Sequence, residues 1–144
     1  MQSKLVSVLQ AFLWFICAFH VIVGLGLNVS SAFPQVMADY YGAEVNWTPE
    51  LLYLVKPIGA FMLALGVMAG AAARSPLSHR SIVYGFVVLF TLRGLQRLVF
   101  QGEIVSALGI DSGRNTVNAV FFLLMAAALV WLFRAAGKSP GPSD

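Results

Sequence analysis

The sequence predicts an all-α integral membrane protein, a four-helix bundle in which each hydrophobic helix crosses a bilayer. Hydrophobic residues make up 59% of the 144-residue chain and charged residues only 10%, whereas a soluble domain carries about 25% charged residues. The mean hydropathy is +0.82. Four separate runs approach the roughly 20 apolar residues that a membrane-spanning helix needs. The length indicates one transmembrane domain over residues 1–144.

The four apolar runs define the predicted spans, which cover about residues 5–27, 51–73, 82–100 and 116–133. The first run is longer than the roughly 7–15 apolar residues of a signal peptide, and no small-residue cleavage site follows it. We therefore expect it to be retained as a span. The second run follows Thr48-Pro49-Glu50, which is typical of a helix start because Thr caps free N–H groups and Pro suits the first turn.

The connections between the spans differ in length and character. Residues 28–50 are expected to form a long polar loop, and residues 74–80 a tight basic turn. In the third connection, residues 104–110 (IVSALGI) are predicted to form a short helix at the membrane surface. In the second span, Gly66 and Gly70 have the small-xxx-small spacing that lets helices approach closely. We expect them to pack within the chain, with homodimerisation as the alternative.

The distribution of basic residues predicts the orientation in the membrane. Lys and Arg accumulate in cytoplasmic connections. One side of the bundle carries Lys4, Arg74, Arg80, Arg134 and Lys138, and the opposite loops clearly contribute only Arg114. Both termini and the basic turn are therefore expected in the cytoplasm. The net charge of +3 follows from this distribution and does not indicate a nucleic-acid partner.

Two arginines inside the third span are the main anomaly of the sequence. Arg93 and Arg97 are four residues apart and share one helix face, with Gln96 beside them. Counted from Ser81, Arg93 lies roughly 18 Å and Arg97 roughly 24 Å along the helix. An arginine at the centre of a span costs about 2.5–3.5 kcal/mol on insertion scales. Both side chains are therefore expected to point into the bundle.

Polar residues of the other three spans are predicted near the same height, in the outer half of the bundle. The inner half is almost wholly apolar. This asymmetry predicts a ligand site in the outer half. Its candidate residues are Arg93, Gln96, Arg97, His20, Glu50, Tyr53 and Asn118.

Three interpretations of this cluster stay open. In the first, Arg93 and Arg97 pair with Glu50 and Glu103 and only fix the helix register, since buried ion pairs need not stabilise much. In the second, the cluster lines a pocket open to the outer leaflet, where the planar guanidiniums bind an anionic or carbonyl-bearing lipophile. In the third, both arginines reach to the lipid headgroups without forming a pocket.

Motifs of self-sufficient catalysis are missing from the sequence. His20 and His79 are the only histidines and Cys17 is the only cysteine, so neither metal-ligand spacing nor a thiol relay occurs. Nucleophile triads and Gly-rich phosphate loops are also missing, and no cofactor is predicted. These observations favour a binding role. The alternative is a membrane enzyme that acts on a lipophilic substrate, with Glu50 or His20 as acid–base group and the arginines as anion clamp.

Short motifs along most of the chain carry a family resemblance. They are Pro49-Glu50-Leu51, Lys56-Pro57-Ile58-Gly59-Ala60, the basic turn and Arg93-Gly94-x-x-Arg97. In these motifs the chain resembles the small bacterial four-helix membrane proteins of the DoxX-like and BphX-like kind. The resemblance implies a bacterial membrane protein of a type found beside oxidoreductases, and it implies little about an activity of its own.

Together these features predict an accessory or binding subunit of a bacterial inner membrane. We expect it to hold an amphipathic lipid, a quinone or a partner helix at the outer-leaflet cluster. The expected partners are the bilayer and either other membrane subunits or a second copy of the chain. Besides the membrane enzyme, a structural subunit of a larger membrane complex is the remaining alternative.

Overall fold

The computed structural model describes residues 2–138, and every regular element in this part of the chain is a helix. Among the described residues, four helices are long and apolar enough to cross a membrane, as the sequence predicts, and they indicate a multi-pass membrane protein. Two short helices lie in the connections. In chain order the elements are α1 (Gln2–Val29), α2 (Phe33–Tyr41), α3 (Pro49–Arg74), α4 (Arg80–Val99), α5 (Gln101–Leu108) and α6 (Ser112–Gly137).

The spanning helices extend beyond the predicted apolar runs at most of their ends. The largest difference is at α6, which begins at Ser112 rather than at residue 116. Asp111 caps it by accepting hydrogen bonds from the N–H groups of Gly113 and Arg114, at 2.9 and 3.1 Å. Such caps let a helix continue past the apolar run on which the sequence prediction rests.

The connection 28–50 is not the continuous polar loop that the sequence predicts, because it contains α2. This helix has Pro34 in its first turn and ends at Tyr41. The next residue, Gly42, caps it with a φ of 70°, in the left-handed region. At nine residues with a mixed composition, α2 falls far below the length that identifies a span. The predicted cap of α3 is confirmed, since Thr48 accepts a hydrogen bond from the N–H of Leu51 at 3.3 Å.

The third connection contains a short helix, as the sequence predicts, but α5 covers Gln101–Leu108 rather than residues 104–110, and it ends before Gly109, whose φ of 65° is left-handed. Helix α5 contributes no buried residue. It is joined to the segment after α2 by a backbone hydrogen bond from the N–H of Glu44 to the carbonyl of Leu108, at 2.8 Å. Helices α2 and α5 thus lie at the same end of the bundle.

The spanning helices form two antiparallel pairs, α1 with α3 and α4 with α6, which meet mainly between α1 and α6. Helices α3 and α4 contact each other far less than the two helices of either pair do, although a tight turn links them. Small residues bring α1 and α3 together: Gly66 faces Val21, and Gly70 faces Cys17 and Trp14. The expected packing of Gly66 and Gly70 within the chain is confirmed.

The apolar core lies in the half of the bundle that contains the start of α1, the end of α6 and the 75–79 turn. We call this half the terminal half. The opposite half, which carries α2 and α5, is the α2–α5 half. The core combines large side chains of α1, α4 and α6 with small ones of α3. Its buried members are Leu9, Leu13, Ile16, Ala69, Ala72, Ala73, Val83, Phe86, Phe90, Ala126, Leu129, Leu132 and Ala136.

Candidate functional site

The buried stripe of α4 leads directly into the two arginines. Val83, Phe86 and Phe90 are at most 5% exposed. The next two positions at the same three- and four-residue spacing are Arg93 and Arg97, so they occupy the same helix face. Arg93 is nevertheless exposed and Arg97 is only partly buried. The face of α4 that is buried in the terminal half therefore becomes accessible at these arginines, although Gly94 between them stays buried.

A groove beside these arginines combines polar and apolar walls. We call it the arginine groove. Its volume of about 340 Å³ lies within the roughly 300–1,000 Å³ typical of small-molecule sites. One wall is polar and comes from α4, and the other is apolar and comes from Phe100, α5 and Ile110 in the connection to α6. The lining residues are Arg93, Gln96, Arg97, Phe100, Ile104, Leu108 and Ile110.

Arg97 is held in place by a reciprocal pair of hydrogen bonds with Asn115 of α6. Its Nη1 donates to Asn115 Oδ1 at 2.9 Å, and Asn115 Nδ2 donates to the backbone carbonyl of Arg97 at 2.7 Å. Asn115 is completely buried. The guanidinium also lies 5.5 Å from the ring centroid of Tyr41. Arg97 therefore connects α4 with α6 and with α2.

Arg93 keeps its donors available. Its guanidinium lies over Phe122, 5.2 Å from the ring centroid. It makes no hydrogen bond to any other residue in the described range 2–138. A guanidinium has five N–H donors in a planar fork. Arg93 can therefore offer a pair of parallel N–H groups to an oxygen-bearing molecule in the arginine groove.

The ion-pair interpretation of the cluster has no counterpart in the described part of the chain. Glu50 and Glu103 are both exposed, and the contacts of Arg93 and Arg97 are with Phe122, Tyr41 and Asn115 instead. The headgroup interpretation does not fit Arg97 either, because its guanidinium is bonded to a buried residue of α6.

His20 lies deeper in the bundle than the arginines. It is only 4% exposed, and its ring packs edge-on against Phe86 and tilted against Phe90, at centroid distances of 5.6 and 6.4 Å. Phe90 precedes Arg93 by about one helical turn. His20 therefore lies about one turn below Arg93, at the edge of the apolar core formed by Ile16, Phe86 and Phe90.

The remaining predicted site residues lie elsewhere. Glu50 is exposed at the start of α3, and Tyr53 is 68% exposed one turn later. Asn118 lines a separate depression of about 410 Å³ together with Tyr40, Tyr41, Arg114 and Val117. Within the described residues, no group of three or more His, Cys, Asp or Glu is placed to hold a metal ion. The structure thus groups Arg93, Gln96 and Arg97, places His20 beneath them, and separates the other three.

Sequence reasoning missed the residues that position the arginines. The sequence places Asn115 at the opening of the fourth span but not among the candidate ligand residues, because the predicted apolar run begins one residue after it. With α6 beginning at Ser112, Asn115 enters the first turn and faces α4. Tyr41 was missed because α2 was predicted as a loop. An embedded arginine needs an acceptor at its own height, and this requirement was the one signal for Asn115.

Comparisons of the chain with protein-family models, with curated proteins and with solved structures found no match. The resemblance to DoxX-like and BphX-like proteins accordingly stays a prediction from the short motifs. The chemistry of the arginine groove therefore carries the functional argument.

Proposed function

We propose that this protein is a membrane-embedded binding subunit that holds an amphipathic lipophile, such as a lipid or a quinone, with its oxygen-bearing head beside Arg93. One observation carries this proposal: the interior face of a spanning helix continues from buried phenylalanines to an accessible arginine with free donors. Arginines at membrane depth are costly, and they typically mark ligand or ion pathways.

The chemistry of the two walls supports a lipophile rather than a partner helix. The guanidinium of Arg93 needs acceptor oxygens, whereas the side chains of a transmembrane helix are predominantly apolar. A lipid or quinone presents such oxygens next to an apolar chain. Ile104, Leu108 and Ile110 provide the apolar wall that the chain of such a molecule requires.

Loss of the Arg93 charge is expected to release this lipophile. Native mass spectrometry of the gently extracted protein is expected to show a bound small molecule whose occupancy falls about tenfold or more in Arg93→Gln. A hydrogen bond to a charged group contributes about 1.5–3 kcal/mol, and about 1.4 kcal/mol corresponds to a factor of ten. Arg134→Gln is the matched control, since Arg134 is exposed at the end of α6 in the terminal half.

Two other results distinguish the alternatives. Equal occupancy in wild type and Arg93→Gln would contradict the proposal. Co-purifying protein subunits without a small molecule would favour a structural subunit of a larger complex. The membrane enzyme remains a second candidate because His20 packs against Phe90, about one helical turn from Arg93. It predicts that the bound lipophile is recovered chemically changed, whereas a binding subunit returns it unchanged.

We infer that the α2–α5 half faces the outside of a bacterial inner membrane and that both termini are cytoplasmic. The support is the basic charge of the terminal end, where Arg74, Arg80, Arg134 and Lys138 are exposed, because short cytoplasmic connections are enriched in Lys and Arg. The opposite connections contribute Arg114. In this orientation the arginine groove opens toward the outer leaflet.

Cysteine labelling tests the orientation. In a Cys17→Ser background, Ser106→Cys in α5 is expected to react with a membrane-impermeant maleimide in intact cells. Ser78→Cys in the tight turn is its matched control, since both serines are exposed, and it is expected to react only after the cells are opened. The reverse pattern would place the arginine groove in the inner leaflet.

A further inference from the structure

A second concave surface lies between the end of α2 and the start of α6. It is the depression of about 410 Å³ that Tyr40, Tyr41, Arg114, Val117 and Asn118 line, and we call it the Arg114 depression. Its volume falls within the range of small-molecule sites. It shares no lining residue with the arginine groove. The two are therefore separate candidate sites.

The side chain of Arg114 lies across the residue that caps α2. A Cβ built at Gly42 would overlap Nη1 of Arg114, so the guanidinium occupies the space that the missing side chain leaves. Arg114 forms no side-chain hydrogen bond or ion pair with any other residue in the described range 2–138. All five N–H donors of its guanidinium are therefore available to a ligand in the depression.

Asn118 adds a donor on the same face of α6. Arg114 and Asn118 are four residues apart, so their side chains are neighbours on the helix. Helical side chains lean toward the start of their helix, which directs the Asn118 amide toward Arg114. Within the described residues this amide has no hydrogen-bond partner. Tyr40 and Tyr41 contribute two phenol groups that can also donate.

The charge of the lining favours an anion. Among the described residues, no carboxylate lines the Arg114 depression. The acidic residues closest to it along the chain face other groups: Asp39 lines a different depression, and Asp111 caps α6. A phosphate group has several acceptor oxygens, which suit the planar fork of a guanidinium and a neighbouring amide at the same time.

The depression lies at the height of phospholipid headgroups. The 26 residues of α6 correspond to roughly 39 Å of helix, whereas the hydrocarbon core of a bilayer is about 30 Å thick. A helix of this length centred in the bilayer extends into the headgroup layer by roughly 5 Å at each end. Arg114 lies roughly 3 Å from the start of α6 and is therefore inside that layer.

An apolar stripe continues from the depression along α6 toward the centre of the membrane. Its residues follow one another at spacings of three and four, which places them on one side of the helix. They are between 47% and 69% exposed, and they are Val117, Val120, Phe121 and Leu124. A lipid whose phosphate lies beside Arg114 can lay an acyl chain on this stripe, whereas a free phosphate ion would leave it unused.

We propose that the Arg114 depression binds a phospholipid, whose phosphate accepts hydrogen bonds from Arg114 and Asn118 and whose acyl chain lies along the apolar stripe of α6. The ligand class is a phosphodiester lipid, and the lipid rather than free phosphate is its source. The inference is independent of the lipophile proposed beside Arg93. It is also independent of the orientation of the chain, because headgroups border both faces of a bilayer.

The experiment titrates dioleoylphosphatidylglycerol and dioleoylglycerol separately into the detergent-solubilised full chain, with native mass spectrometry as the readout. The two lipids have the same acyl chains, but only the first carries a phosphate. Arg114→Gln is expected to lower the affinity of the tightest site for phosphatidylglycerol about tenfold, the effect of a charged hydrogen bond. It is expected to leave the affinity for dioleoylglycerol unchanged. Asn118→Leu is expected to lower the phosphatidylglycerol affinity about threefold, since a neutral hydrogen bond contributes less.

Two other arginine variants serve as controls. Arg134 is an exposed arginine at the opposite end of the same helix, so Arg134→Gln removes the same charge without touching the depression. Arg93→Gln removes the free arginine of the arginine groove. Both are expected to keep the wild-type affinity of the tightest site for phosphatidylglycerol. An excess of sodium phosphate is expected to leave the lipid bound, because the ion has no acyl chain to contact α6.

The contrary outcomes are distinct. Equal losses in Arg114→Gln and Arg134→Gln would reduce the effect to a general attraction of anionic lipid to basic residues and overturn the inference. A loss in Arg93→Gln but not in Arg114→Gln would assign the phosphate to the arginine groove instead. Displacement of the lipid by sodium phosphate would identify the ligand as a free anion. None of these results decides whether a lipophile binds beside Arg93, which the occupancy measurement on Arg93→Gln tests separately.

Discussion

Asn115→Leu is expected to lower the free energy of unfolding by about 3–5 kcal/mol, because it leaves a partly buried guanidinium and a backbone carbonyl without their partners. Asn115 is completely buried and makes two hydrogen bonds to Arg97. Leucine fills a similar volume, so the loss reports the hydrogen bonds rather than a cavity. Unfolding in mixed micelles with increasing denaturing detergent measures the difference.

Asn118→Leu is the matched control for this prediction. It makes the same chemical change in the same helix, at a half-buried position that lines the depression beside Tyr41. Its effect on the unfolding free energy is expected to stay within about 1 kcal/mol, since a site away from buried networks tolerates substitution. Equal losses in the two variants would show that the Arg97–Asn115 pair does not hold α4 against α6.

Gly24→Ala is expected to lower the free energy of unfolding by about 1–3 kcal/mol through overpacking between α1 and α3. A Cβ at Gly24 would lie 2.8 Å from the carbonyl oxygen of Gly59 and 2.8 Å from the backbone nitrogen of Leu63. Both atoms belong to the backbone and cannot rotate away. The two helices would have to separate along their closest contact, and the same detergent titration measures the cost.

Gly85→Ala is the control for the change in helix propensity. Gly85 is a mid-helix glycine of α4, and a Cβ built there meets nothing within 4 Å. Alanine is favoured over glycine inside a helix by about 1 kcal/mol, so this variant is expected to be neutral or more stable. If both variants change stability in the same direction, close packing at Gly24 does not control the α1–α3 contact.

The four spans were predictable from the sequence because a bilayer imposes a minimum length of apolar helix that few other structures require. The grouping of Arg93, Gln96 and Arg97 was predictable for a similar reason, since spacings of three and four residues on one helix fix a common face. No such constraint acts on α2. Its nine residues are too few to show the long apolar pattern from which a span is predicted.

The sequence could not show whether Glu50 and Tyr53 belong to the ligand site. A sequence gives the height of a residue in the membrane but not the rotation of its helix. The rotation of α3 is set by the face that its glycines turn toward α1. Gly59 lies on that face. Nine residues separate it from Glu50, which corresponds to about 180° around the helix. Close glycine packing therefore turns Glu50 outward, whatever polar residues lie at its height.

The unequal packing of the two halves makes the stability of this protein depend on its surroundings. The terminal half holds the apolar core, whereas α5 contributes no buried residue, so local unfolding costs least at the α2–α5 end. A molecule that binds only the folded chain adds stability in proportion to the logarithm of its concentration relative to its dissociation constant. A lipophile in the arginine groove would thus couple the lifetime of the folded chain to the composition of the membrane around it.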